Sequence, residues 1–165
     1  MPRRKRDTDD SLASSIKVLK TATCKSIAGK AKLTYKIGCT PEKEIHFIVH
    51  ENEGGGFFSR EWVAVKDIRE ALERCPADEP ITSMALQPLF RGRSVNTPAF
   101  LLAALSNEKL LTPIRGRRRG HELADVEAFV ARMDKLVSGS RIAKKKAVAK
   151  KVTRKKKAMA RKAQR

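Results

Sequence analysis

The sequence predicts an α+β fold: a small N-terminal sheet with one helix, then two helices flanking a basic β-hairpin, then a disordered basic C-terminal tail. Three observations lead to this prediction. Residues 32–51 contain two β-rich runs separated by a short loop. Residues 95–111 and 126–137 place apolar side chains at helical spacing. Residues 141–165 hold 13 lysines and arginines and no acidic residue, a composition that cannot bury a core.

Residues 1–28 are predicted to be a basic, partly disordered segment. The cluster PRRKR is followed by three aspartates and then by the mixed stretch SLASSIKVLK. In that stretch Leu12, Ile16 and Leu19 have the spacing of a short amphipathic helix, so we expect a helix there.

Residues 29–75 are predicted to form a β-rich unit with one helix. The runs KLTYKIGCT and IHFIVHE, joined by a loop with Pro41, indicate a hairpin in which Ile45, Phe47 and Val49 alternate against His46, Ile48 and His50. Three glycines then provide a turn before FFSREWVAV, which predicts a third strand. The helical spacing of VKDIREALERC follows, and the two prolines of PADEP at 76–80 indicate a linker.

The three aromatic residues of this unit allow two interpretations. Phe57, Phe58 and Trp62 are expected in the core of the sheet. The alternative is that some of them form a platform on which unpaired bases stack.

Residues 81–138 are predicted to form a second unit. ITSMALQPLF indicates a short helix that stops near Pro88, and Thr97 and Pro98 are well suited to the N-cap and first position of the next helix. We place Phe100, Leu101, Leu105 and Phe129 in the core. The order of elements in residues 97–137 is then helix, strand, basic turn, strand, helix.

The segment TPAFLLAALSNEKLLTPIRGRRRGHELADVEAFVARM resembles the recognition helix and wing of a winged helix-turn-helix domain. The resemblance implies a helix that enters the major groove of DNA or packs beside it, and a hairpin tip that approaches the backbone or the minor groove. Arg115, Arg117, Arg118 and Arg119 would be the wing tip. The alternative is a helical hairpin or a capping β-hairpin whose turn is merely solvated.

Residues 139–165 are predicted to be a disordered Lys/Arg-rich tail. The pattern AKKKAVAKKVTRKKKAMARKA resembles the tails of linker histones and of bacterial histone-like proteins, which implies polyanion binding without base specificity. The alternatives are a nuclear localisation signal and an arm that binds RNA or a ribosome.

The overall charge restricts the class of partner. The chain of 165 residues has a formal net charge of +19, which favours encounter with nucleic acid or an anionic membrane surface, and nucleic acid is the expected partner. No run approaches the length of a membrane span, so no membrane partner is expected.

The three cysteines have no paired spacing, which predicts a reducing compartment and neither a disulfide framework nor a zinc site. The residues predict no cofactor, no metal and no catalytic set.

We therefore expect a non-enzymatic, accessory, architectural or regulatory DNA-binding protein, with an RNA-binding or ribosome-associated protein, or an adaptor localised by its tail, as alternatives. It would be cytoplasmic, on the nucleoid if the source is bacterial, or nuclear if it is eukaryotic, and a homodimer is left open. The residues predicted to contact nucleic acid are Arg91, Arg93, Lys109, Arg115, Arg117, Arg118, Arg119, Lys144, Lys145, Lys146, Lys150, Lys151, Arg154, Lys155, Lys156 and Lys157.

Overall fold

Four antiparallel strands form the larger of two sheets. The computed structural model describes residues 13–92, 94–117 and 119–139. The strands are β1 (Lys17–Lys25), β2 (Lys32–Cys39), β3 (Ile45–Asn52) and β4 (Val63–Ala64), hydrogen-bonded in the order β1-β2-β3-β4. The mixed α+β class is therefore confirmed, as is the hairpin predicted from KLTYKIGCT and IHFIVHE.

The N-terminal helix predicted from Leu12, Ile16 and Leu19 does not extend to Leu19. Residues 13–15 are helical and Leu12 lies outside the described residues, whereas Leu19 lies in β1, which pairs with β2 along its length. In the second half of β1 exposed Thr21 and Thr23 alternate with half-buried Ala22 and Cys24. This period of two and the β-branched threonines are typical of a strand, and they outweigh the weak helical spacing.

In addition to the helical residues 13–15, three longer α-helices and one 3₁₀ helix accompany the sheets in the described ranges. They are α1 (Val65–Glu73), the 3₁₀ helix (Ser83–Leu89), α2 (Asn96–Asn107) and α3 over residues 126–139. Thr97 does not cap α2: the helix begins one residue earlier, and the Thr97 hydroxyl accepts a hydrogen bond of 2.9 Å from the Ser59 N–H. No helix in the described ranges is both long enough and apolar enough to cross a membrane.

The second sheet consists of β5 (Leu111–Pro113) and β6 (His121–Leu123). An isolated bridge joins Ile81 to His121 at its edge. Together with α2 and α3, these strands confirm the predicted order of helix, strand, turn, strand, helix.

One hydrophobic core lies between the four-stranded sheet and the helices. The ring of Phe47 stacks between Tyr35 at 6.1 Å and Phe129 at 6.3 Å. The core extends from Tyr35 on β2 to Met133 on α3, so elements on both sides of residues 76–80 contribute to it. Leu101, Leu105 and Phe129 are fully buried as predicted, whereas Phe100 is only half-buried.

The outer face of the sheet is covered at one end, which the alternating pattern did not indicate. A Cβ atom on Gly38 would collide with Ile16 and lie 3.0 Å from the Trp62 ring. His46, the cross-strand partner of Gly38, is consequently buried. Phe57, by contrast, is 75% exposed, so its predicted place in the core is wrong. Within the segment FFSREWVAV, where a strand was predicted, the strand β4 comprises two residues, Val63 and Ala64.

Candidate nucleic-acid interface

The β5–β6 hairpin ends in a tight basic turn. Thr112 pairs with Glu122 and Pro113 with His121. Beyond these pairs the Ile114 N–H donates to the Gly120 carbonyl at 2.9 Å, and the Gly120 N–H donates to the Arg117 carbonyl at 3.0 Å. Gly116 has a φ of 83°, a left-handed conformation that glycine adopts without strain. These bonds and this conformation define the shape of the turn in its described residues, 114–117 and 119–120.

The base of the hairpin is fixed to the rest of the protein. Ile81 and His121 exchange two backbone hydrogen bonds of 2.8 Å, and the Ala124 N–H donates to the Leu110 carbonyl at 3.0 Å. A Cβ atom on Gly120 would lie 3.0 Å from the Pro80 Cβ, so only glycine allows this close approach without adjustment. The turn is therefore carried on an anchored base.

The arginines at the tip are exposed. Arg115, Arg117 and Arg119 all have exposed side chains, and among the residues that the structure describes none of the three forms an ion pair with a carboxylate. Arg118 lies outside the described residues. Guanidinium groups placed in this way can contact phosphate oxygens without first breaking an internal ion pair.

The base of the hairpin contains a buried histidine. His121 is 4% exposed, and its Nδ1 atom has no hydrogen-bond partner among the described residues. Burial lowers the pKa of His121 below its ordinary value of 6.5. The imidazole is therefore uncharged at neutral pH, and the positive charge of the hairpin resides in its exposed turn.

α2, the helix that the resemblance would place in or beside a DNA groove, is packed on several sides. It contacts the 3₁₀ helix, β1, β3 and β5. The buried residues of α2 are Thr97, Pro98, Leu101, Leu102, Ala103, Ala104 and Leu105. Because these positions are distributed around the helix axis, α2 has no broad polar face with which to read base edges.

The residues at the C-terminal end of α2 have a structural role. Glu108 is 6% exposed and accepts hydrogen bonds from the Lys20 ammonium at 2.6 Å and from the Tyr35 hydroxyl. Asn107 donates to the same hydroxyl at 2.8 Å, and Arg132 donates to the Glu108 carbonyl at 2.8 Å. Burial and the bond to Glu108 raise the pKa of Tyr35, so its hydroxyl stays protonated. This network ties β1, β2 and α3 to the end of α2.

A groove lies beside the hairpin. It has a volume of about 650 Å³ and runs between the β1–β2 turn and the first half of α2. Lys30 lines it from the β1–β2 turn, and Arg119 lines it from the hairpin. Sequence reasoning missed Lys30, because nothing in SIAGKAK shows that this turn approaches the hairpin in space.

The other predicted contact residues are distributed over different parts of the molecule. Arg91 is exposed but lines a separate cavity with Trp62 and His46, where its backbone N–H donates to Glu61 at 2.9 Å. Lys109 is exposed in the turn after α2 and has a φ of 59°. Arg93 and the predicted lysines and arginines from Lys144 to Lys157 lie outside the described residues. The structure thus brings Arg119 to the same groove as Lys30 and keeps Arg91 apart.

Comparison with known proteins assigns no relative: no protein-family model, no curated protein and no solved structure matches the chain.

Proposed function

We propose that this protein binds duplex DNA without reading its sequence through α2, and that the β5–β6 hairpin and the basic tail make the contacts. The observation that carries this proposal is the set of exposed arginines on the anchored hairpin, Arg115, Arg117 and Arg119. Their charges face solvent, as phosphate contacts require. The net charge of +19 adds a long-range attraction to any polyanion.

The role that fits this geometry is accessory, architectural or regulatory, and not enzymatic. Contacts from arginine and lysine to phosphates fix position on a duplex but carry no base information. Arginine inserted into a narrow minor groove adds a preference for A·T-rich DNA, because the electrostatic potential there is more negative. A protein of this kind would act on the nucleoid of a bacterium or in a nucleus.

Binding measurements with three probes test the proposal. The full-length protein is titrated with a duplex DNA, a single-stranded DNA and a structured RNA of equal length, each at two salt concentrations. We expect the tightest binding to the duplex and a steep loss of affinity with salt, because each phosphate contact releases condensed counterions. A clear preference for the structured RNA would contradict the proposal and favour an RNA-binding protein.

A variant without residues 141–165 separates the contribution of the tail from that of the hairpin. The slope of log K against log salt is negative, and removing one phosphate contact should reduce its magnitude by about 0.9. We expect a shallower slope that is still clearly negative, because the hairpin arginines stay in place. A variant whose binding no longer depends on salt at all would show that the hairpin contributes nothing.

A further inference from the structure

The groove beside the hairpin has fixed walls. On one side the Ser26 N–H donates to the Ala31 carbonyl at 2.8 Å, and the Gly29 N–H donates to the Ser26 carbonyl at 2.7 Å, which together shape the β1–β2 turn. On the other side Ser94 and Asn96 donate to the Phe57 carbonyl at 2.8 Å and 3.0 Å. The volume of about 650 Å³ lies within the range of preformed ligand sites.

The lining of the groove combines apolar walls with positive charge. Its apolar part is formed by Ile27, Ala28, Val95, Ala99, Phe100 and Leu102. The Phe100 ring is held by an edge-to-face contact with Phe58, with ring centroids 6.0 Å apart. The two charged residues in the lining are Lys30 and Arg119, and the described residues that form it include no carboxylate.

Other cavities on the described surface differ from this groove in charge. They carry carboxylates: Glu61 and Asp67 in one, Glu44 and Asp134 in a second, and Glu73, Asp78, Glu79 and Glu122 in a third. A ligand for the groove would therefore be anionic and would have flat apolar parts, the chemistry of a nucleotide chain.

Paired and unpaired nucleotides fit a concave apolar groove differently. A duplex presents a convex surface of phosphates and keeps its base faces stacked inside. An unpaired strand can turn its bases out, and such bases stack on aromatic side chains while cations hold the backbone. The groove therefore suits unpaired bases, and the exposed hairpin turn suits duplex phosphates.

We infer that the groove between the β1–β2 turn and α2 binds unpaired nucleotides next to a duplex, with their phosphates at Lys30 and Arg119 and their bases against Phe100 and Ala99. This inference rests on the proposed function, since the hairpin would hold the adjoining duplex. It makes the preferred target a DNA end, gap or junction with single-stranded nucleotides.

Three DNA probes test the inference on the full-length protein. They are a blunt duplex, the same duplex with a short 3′ overhang of thymidines, and the same duplex with an abasic overhang of equal length. The two overhangs carry the same charge, so a difference between them reports on the bases alone. We expect the thymidine overhang to bind about tenfold more tightly than the abasic one.

Variants locate this preference in the groove. Ala99→Leu fills part of the α2 wall and should abolish most of the preference for bases. Ala28→Leu, in the exposed turn opposite, repeats the test without altering α2. Lys30→Glu should weaken both overhang probes more than the blunt duplex, whereas Lys135→Glu, with the same charge change on α3, should weaken all three probes equally.

The outcomes separate the two proposals. Equal affinity for the thymidine and abasic overhangs overturns the inference, and so does a preference that both leucine variants retain. Either result leaves the proposed function intact if the blunt duplex still binds with a steep salt dependence. A blunt duplex that fails to bind at low salt overturns the proposed function, whatever the overhangs do.

Discussion

α2 and the β5–β6 hairpin follow one another in the chain, but they differ in how far their side chains are exposed to solvent. α2 buries most of its side chains, whereas the turn of the hairpin exposes Arg115, Arg117 and Arg119. The sequence of α2 already shows the cause, because residues 101–105 are apolar without interruption and a helix that is apolar on all sides belongs in a core. An order of elements like that of a winged helix therefore does not by itself bring the helix to DNA.

The largest effect should come from truncating the core face of α2. Leu101 is 1% exposed, and Leu101→Ala removes most of its packed side chain and leaves a cavity. We expect a loss of about 2–5 kcal/mol in the free energy of unfolding, measured by urea denaturation. Arg117→Ala on the exposed hairpin is the matched control and should change stability by less than about 0.5 kcal/mol. Similar stabilities for the two variants would contradict the burial of α2.

A smaller loss is expected at the C-terminal end of α2. Glu108→Ala leaves the buried Tyr35 hydroxyl without the carboxylate that accepts its hydrogen bond, which should cost about 1–3 kcal/mol. Adding Tyr35→Phe removes that stranded donor. The double variant should therefore lose less free energy of unfolding than the sum of the losses in the two single variants. Glu122→Ala, on the exposed side of β6, should leave the melting temperature unchanged. If the losses in the two single variants add up to the loss in the double variant, the Glu108 and Tyr35 side chains are not coupled.

The buried histidine of the hairpin predicts a mild dependence of stability on pH. Because the pKa of His121 is lower in the folded protein, the unfolded chain takes up a proton first as the pH falls through about 6.5. The free energy of unfolding should therefore decrease below that pH, by at most about 1.4 kcal/mol per pH unit, and this contribution should be constant above it. His121→Gln should reduce this slope. If the slope is unchanged in His121→Gln, a group other than His121 causes the pH dependence of stability.

Most of the secondary structure could be predicted from local patterns. The hairpin of β2 and β3, the helix over Val65–Glu73 and the sequence of elements from α2 to α3 all follow from periodicity. The errors occur where distant residues decide the outcome. β1 is a strand because β2 offers it a partner, and His46 is buried because Ile16 and Trp62 cover the outer face near Gly38. No spacing within the chain indicates that coverage.

The candidate site was only partly predictable, for a similar reason. Four arginines interspersed with two glycines predict an exposed basic turn from the sequence alone. Lys30 is almost 90 positions from Arg119, and only the fold brings both to one groove. Arg91 is an error of the opposite kind. It was grouped with the hairpin arginines as a predicted nucleic-acid contact, but it lines a separate cavity. Charge is visible in a sequence, whereas the distance between charges is not.

The hairpin arginines provide the most direct test of the proposed function. Arg115, Arg117 and Arg119 are replaced together by alanine in the full-length protein, and Lys66, Arg74 and Lys135 are replaced together in a control that removes the same charge from α1, the residue after it and α3. The slope of log K against log salt is then measured for a duplex DNA. The proposed contacts predict that the magnitude of this negative slope decreases by up to about 2.7 in the hairpin variant, and that the control keeps the slope of the unaltered protein. Equal slopes and equal affinities in the two variants would contradict the assignment of DNA binding to the hairpin.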